Sequence, residues 1–502
     1  MRSLKLASVV LLVSYPSFAQ QPPEPDILRE APKREGPDEL AYALAAQPGG
    51  LTAARTAQRV VRASTDVRSR LADLESARAK VWQTTVAFVP RLTLKASYTR
   101  LSPVESSFGS GALVGASSEG PITTGPCPPG LPAAECVLDA AGQPVGAFAL
   151  TIPSVLDNFA LSAQLLVPLS DYALRLPDAV EGVGQAEAGA EQGIEAARAR
   201  GALEGRLLYY GWIRAVGQQS ITNQALARAN GSLGDATAAH QVGRITRADL
   251  MRVQTLVKTT EQLAEDAGAM REMAERQLAV MMGDPPATRY RVGENVMVAP
   301  ALPPLDERAL VREAYKLRTD LKSLDHTIRA VEASGGLARG AYYPRVDAFG
   351  ELTYANPNQR FFPPTEQWRA TWLVGLSATW TINDTVATAG ASREIEAQIE
   401  KLRATREALR RGVRLEVSGA ILEARRAQRS IETAEAALAS AEEAHRVQVE
   451  LYRVGQATTT DLLAAESELL RARLGQLSAF IDARVARAKL HHAVGRTWGR
   501  LR

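Results

Sequence analysis

The stretch YRVGQATTTDLLAAESELL fills residues 452–470, and HQVGRITRADLMRVQTLV fills residues 240–257. Both carry Gly-x-x-Thr-x-x-Asp between two segments of helical composition. Glycine most readily adopts the left-handed conformation that closes a helix, so helix ends are predicted at Gly243 and Gly455. Thr246 and Thr458 then stand as N-caps. Asp249 and Asp461, at the third helical position, complete capping boxes and favour the positive end of the helix dipole. Each motif reads as a tight turn between antiparallel helices.

The doubling extends outward from these turns. The 48 residues from Leu51 align without a gap on those from Leu305, pairing Asp66 with Asp320 and Pro90-Arg91 with Pro344-Arg345. Val242 to Gly283 aligns on Val454 to Gly495, again without a gap. The chain is an internal repeat of two units. Between the aligned blocks, 81 positions separate Pro90 from Asp171 but only 40 separate Pro344 from Asp384, so the first copy carries an insertion of 41 residues. Insertions of this kind fall in surface loops.

The segments flanking that loop alternate. Leu92, Leu94, Ala96 and Tyr98 share one face of RLTLKASYTR, while Thr93, Lys95, Ser97 and Thr99 share the other. The same pattern recurs at Phe159, Leu161, Ala163, Leu165 and Val167; at Val346, Ala348, Leu352 and Tyr354; and at Trp372, Val374, Leu376, Ala378 and Trp380. Four strands of membrane-spanning length, with aromatic ends, are expected.

From Asp171 to Gly243 and from Asp384 to Gly455 the composition is helical, and each stretch reaches about 105 Å if continuous at 1.5 Å per residue. Pro177 interrupts the first near its start. Seven-residue spacings at Ile395, Leu402 and Leu409, at Ile431 and Leu438, at Leu256, Leu263 and Met270, and at Leu463, Leu470 and Leu477 predict coiled-coil seams.

Composition narrows the function. A formal net charge of +4, with arginines interspersed among glutamates, describes solvated helix faces and excludes a nucleic-acid stripe. The five histidines, His240, His326, His445, His491 and His492, form no metal spacing, and no nucleophile elbow or phosphate loop appears. No enzyme activity, cofactor or metal site is expected. His491 and His492 are placed on the last helix, one packed and one solvated. Residues 1–19 read as a secretory signal cleaved after Ala19. Cys127 and Cys136, close together in the insertion, are expected to form a disulfide in an oxidising compartment. No apolar run is long enough for a spanning helix, so any membrane role falls to the strands. Four strands cannot close a barrel, whereas a trimer supplies twelve and leaves a bore.

The doubled organisation, the two Pro-Arg pairs and the run from Leu451 to Gly495 together resemble the TolC family of outer-membrane efflux proteins. The resemblance covers Leu51 to Gly495. It implies an α+β membrane protein: a homotrimer with a twelve-stranded barrel in outer-membrane lipid and a long helical coiled-coil barrel crossing the periplasm. Its expected partners are a periplasmic adaptor and an inner-membrane pump. The expected function is a passive exit duct for small molecules such as drugs and metals. A type I protein secretion channel and a periplasmic coiled-coil adaptor or structural rod are the alternatives.

The expected organisation is a signal at 1–19, a Pro-rich segment at 20–50, a first repeat at 51–283, an equatorial linker at 284–304, a second repeat at 305–495 and a tail at 496–502. The resemblance further places Gly243, Thr246, Arg247, Asp249, Tyr452, Gly455, Thr458 and Asp461 at the periplasmic tip. Asp249 and Tyr452 fall where neighbouring helix pairs link to hold the mouth closed, and Asp461 falls in an acidic ring of the lumen. Ala457 replaces a lock-forming arginine and Ala464 a second acidic residue, leaving Arg244 and Arg247 as alternative links.

Overall fold

In the computed structural model, residues 39–103, 113–130, 132–148, 155–362 and 364–496 are described. The expected signal, the start of the Pro-rich segment and all but the first residue of the tail lie outside them. After a short helix α1 (Glu39–Ala43), the first repeat runs through α2 (Ala53–Ala63) and α3 (Thr65–Ala87) into strand β1 (Arg91–Arg100). Thr52 and Ser64 cap the two helices by accepting the backbone N–H of Arg55 and Val67. Pro90 then precludes continuation of the helix and turns the chain into the strand.

The insertion holds two small hairpins. Strand β2 (Leu113–Gly115) pairs with β5 (Gly146–Phe148), and β3 (Thr123–Pro126) pairs with β4 (Glu135–Leu138). Cys127 and Cys136 are bonded, as expected. Buried Asp139 organises the hairpin base, accepting the backbone N–H groups of Ser117, Ala141 and Gln143. The chain returns as β6 (Asp157–Val167), a short α4 (Leu169–Leu174), the 66-residue α5 (Leu176–Gln241) and α6 (Arg247–Met282). Pro177 sits in the first turn of α5, where its missing N–H costs nothing, and marks the break from α4.

The second repeat follows the same order without the insertion: α7 (Glu307–Leu317), α8 (Thr319–Arg339), β7 (Arg345–Asn356), β8 (Arg369–Thr379), the 72-residue α9 (Ile382–Arg453) and α10 (Thr459–Ala493). A 3₁₀ turn at Gly340–Tyr342 joins α8 to β7. The uninterrupted α5 and α9 extend about 99 and 108 Å. No helix is long and apolar enough to cross a membrane among the described residues.

The four principal strands form one antiparallel sheet in the order β1-β6-β7-β8, leaving an outer edge on β1 and on β8. Directly opposed residues share a face. The register therefore continues the apolar face across all four strands: Leu94 opposes Ala163, which opposes Leu352, which opposes Trp372. The adjoining row is Leu92, Leu165, Gly350 and Val374. On the other face run Thr93, Gln164, Glu351 and Leu373, then Lys95, Ser162, Thr353 and Thr371. The apolar face has no layer over it: Leu94 is 75% exposed and Leu376 73%. At its far end Tyr98 packs on Phe159, and Trp368 stacks on Tyr354 with ring centroids 5.0 Å apart.

Packing follows from the two long helices. Near the sheet, α5 lies between α3 and α8, and α8 lies against α9; farther away, α6, α5, α10 and α9 pack side by side. One core forms where these sets overlap, around Tyr209, Trp212, Ile213, Leu278, Leu477 and Ile481, with Val292 and Val296 of the 284–304 segment closing it, and a second lies among α7, α9 and α10 around Leu310, Val417, Ile421, Phe480 and Leu490. Gly205 lets α2 approach α5 closely, since a Cβ there would lie 2.7 Å from the Cα of Ala57.

Two sequence expectations meet a different arrangement within one chain. The buried seam of α6 is Val253, Val257, Thr260, Ala264 and Ala267, whereas Leu263 and Met270 of the predicted seam are exposed. Small residues bring α6 close to α5, so its larger apolar side chains turn away from this contact. The solvated histidine is also absent: His491 is buried and His492 half-buried, because α10 is enclosed on several sides where the two helix sets overlap.

Candidate functional site: the helical tips

The tips are built by backbone geometry first. Gly243 and Gly455 both have φ of +78°, and a Cβ in that conformation would be strained. At the first tip the N–H of Arg244 donates to Ala239 and that of Gly243 to His240. At the second, Gln456 donates to Leu451 and Gly455 to Tyr452. These paired bonds satisfy the last carbonyls of α5 and α9.

Both capping boxes are present. The Thr246 hydroxyl accepts the Asp249 N–H at 3.2 Å and donates to the Asp249 carboxylate at 2.7 Å. Thr458 and Asp461 repeat the same two distances. The threonine hydroxyls hold both carboxyl groups below their usual range, with the Thr246 and Thr458 N–H groups adding to the effect. Both aspartates are therefore anionic at neutral pH.

The tips differ in what remains available. Asp249 also takes an ion pair from Arg252, and a ring nitrogen of His240 lies 3.2 Å from the carbonyl of Ile245 in the same turn. In the second copy Ala464 and Tyr452 hold the positions of Arg252 and His240. Asp461 makes no ion pair, and the buried Tyr452 hydroxyl has no hydrogen-bond partner, among the described residues. The chain does not bring Asp249 and Tyr452 into hydrogen-bonding contact. Arg244 and Arg247 form no ion pair among the described residues.

Above the tips a polar connection joins the two hairpins, and sequence spacing gave no sign of it. Buried Glu466 of α10 receives His445 of α9 at 2.9 Å and Arg228 of α5 at 3.4 Å. Burial works to raise the Glu466 carboxyl, but His445 and Arg228 together hold it below the usual range. Arg473 of α10 reinforces the link through Gln224 of α5 and Glu442 of α9. Among the described residues no cluster of His, Cys, Asp or Glu suited to a metal ion is present.

Comparison with known proteins adds to this geometry. Residues 310–496 match the family model described as outer membrane efflux protein. No curated protein sequence matches the chain. Among solved structures, the outer membrane protein VceC of Vibrio cholerae superposes with a TM-score of 0.69 at 17% identity, over 88% of this chain and 96% of that one. The CmeC outer membrane channel of Campylobacter jejuni gives 0.69 at 14% identity, over 90% and 89%. The open-state MtrE outer membrane channel of Neisseria gonorrhoeae gives 0.67 at 16% identity, over 88% and 88%.

Proposed function

We propose that this chain, whose residues 310–496 match the outer membrane efflux protein model and whose fold is similar to that of solved outer membrane channels, assembles as a homotrimeric channel-tunnel. Three four-stranded sheets join into a twelve-stranded barrel, and the long helices continue its bore through the periplasm. The observation carrying this reading is the sheet: one uncovered apolar face, one polar face and two open edges on β1 and β8. An open edge leaves backbone donors and acceptors unpaired, which a hydrocarbon environment does not tolerate. The sheet is thus completed by other copies.

The helical edges support the same assembly. Leu71 and Trp82 of α3, Met270 and Val280 of α6, and Leu415 and Leu422 of α9 are exposed in one chain. These elements flank the helical layer, where neighbouring chains would cover them.

In this reading the duct does no energy transduction. An inner-membrane pump, reached through a periplasmic adaptor at the tips, drives small molecules such as drugs or metals through it. Fractionation tests the location: recovery of the chain with outer-membrane porins supports the duct, and release by osmotic shock supports a periplasmic rod. Deletion of the gene in the native host tests the cargo. Increased sensitivity to drugs or metals supports small-molecule efflux, whereas loss of a secreted polypeptide without such sensitivity supports protein secretion.

A further inference from the structure

A second site lies at the overlap of the helix sets. A cavity of about 200 Å³ opens between α2, α5, α10 and the 284–304 segment, lined by Arg206, Tyr210, Glu294, Arg484, Arg487 and His491. Among the described residues lining it are three guanidinium groups and one carboxyl group. Burial pushes the Glu294 carboxyl up, against the pull of Arg484.

The donors are unevenly used. Arg484 donates to the backbone carbonyls of Asn295, Val296 and Val298, at 2.6 to 3.1 Å. Arg487, by contrast, makes no hydrogen bond or ion pair among the described residues. His491 is only 6% exposed, and neither of its ring nitrogens has a hydrogen-bond partner among the described residues. Burial first, then Arg487, Arg496 and Arg206, push this imidazole down to about 4. It is neutral at pH 7 and keeps one N–H to donate.

The chemistry of the lining excludes most ligands. Cations are repelled by the three arginines, and the volume is below the roughly 300 Å³ at which pockets for drug-sized molecules begin. A membrane phospholipid is also excluded by distance. Arg206 lies 30 positions into α5 from Leu176, about 45 Å along the axis from the sheet end. A small tetrahedral oxyanion fits, since guanidinium presents N–H donors in a fork that matches its oxygens.

We infer that this cavity binds a free oxyanion of the inorganic phosphate class, held by the Arg487 guanidinium and the His491 N–H. Occupancy offsets the charge of Arg487 and ties α10 to the 284–304 segment through the adjacent Arg484 bonds.

Equilibrium dialysis of the full chain in detergent against radiolabelled inorganic phosphate tests the site. The expected result is one saturable phosphate per chain, displaced by sulfate but not by chloride at equal ionic strength. Arg487→Gln should weaken binding at least tenfold, Arg487→Lys should weaken it less, and Arg329→Gln on α8 should leave it unchanged. Absence of saturable binding, or equal affinity in wild type and Arg487→Gln, overturns the inference. Should Arg487→Gln fail to fold, unchanged affinity and unchanged sulfate competition in Arg487→Lys overturn it instead. Displacement by a soluble short-chain phospholipid as effective as free phosphate contradicts the free-anion assignment.

Discussion

Arg252 holds the carboxylate of Asp249 at 2.8 Å, and the equivalent pair is missing at Asp461 because Ala464 stands in place of the arginine. One sequence motif therefore produces two electrostatically different tips. In a trimer, three Asp461 carboxylates at the mouth would carry charge that no side chain of their own turn offsets. Asp461→Asn should weaken block of single-channel current by multivalent cations applied from the periplasmic side. Asp249→Asn alone should change the block much less, since Arg252 already neutralises that group.

The proposed closing contact between Tyr452 and Asp249 is separable from capping. Thr246→Ala or Thr458→Ala removes a cap and should cost about 1 kcal/mol of local stability, read as faster amide exchange in the first turn of α6 or α10. Conductance should not rise with either. Tyr452→Phe combined with Asp249→Asn should raise conductance in planar bilayers while the assembly stays intact. If the cap variants raise conductance equally, the two residues are turn-formers and nothing more.

On the sheet, Leu94→Arg and Leu376→Arg should impair membrane insertion, because a cation at the bilayer midplane of a barrel costs roughly 2 to 4 kcal/mol. Thr93→Arg and Ser377→Arg, on the polar face, should insert nearly as well as wild type. Heat-modifiable gel mobility of membrane fractions reads the difference. Equal damage from both pairs would mean that the apolar face does not meet lipid.

Backbone proximity gives a sharper stability contrast. Gly205→Ala drives a Cβ into the backbone of Ala57 and should lower stability by about 1 to 3 kcal/mol. Gly211→Ala, with nothing within 4 Å of the added Cβ, should instead raise it by up to about 1 kcal/mol. Thermal melts of both variants check the pair.

His491 makes the fold acid-sensitive. Its ordinary value is 6.5 and the folded value about 4, so below pH 6.5 the unfolded chain takes a proton that the folded chain does not. The stability contributed by keeping His491 neutral should fall as pH drops from about 6.5 towards 4 and level off below that, where the carboxyl groups held low at Asp249, Asp461 and Glu466 continue the loss. In chloride buffer without phosphate, His491→Gln should flatten this part of the melting profile.

Most of the architecture was legible because it rests on local, periodic signals. The period-two strands, the capping boxes at Thr246 and Thr458 and the helix-ending Gly243 and Gly455 depend on near neighbours, and the repeat confirmed each reading twice. Within one chain the α6–α5 contact is made by Val253, Val257 and Ala264, while Leu263 and Met270 lie on an outer face that the proposed assembly would cover. Close helix packing rewards small residues, and a search for large apolar ones overlooks them. The Arg228–Glu466–His445 link and the Arg487–His491 cavity left no local trace. The link draws on three helices distant in sequence, and although Arg487 and His491 stand one turn apart on α10, only the register between elements brings Arg206 and Glu294 to them.

The central claim is that the open edges of β1 and β8 are closed by two further copies of the chain. Light scattering corrected for bound detergent, or native mass spectrometry, measures this directly on protein extracted from outer membranes. The account predicts a single species with the mass of three chains, stable in mild detergent. A monomer or dimer as the stable species would contradict it, because four or eight strands would then have to close the sheet without the twelve that the bore requires.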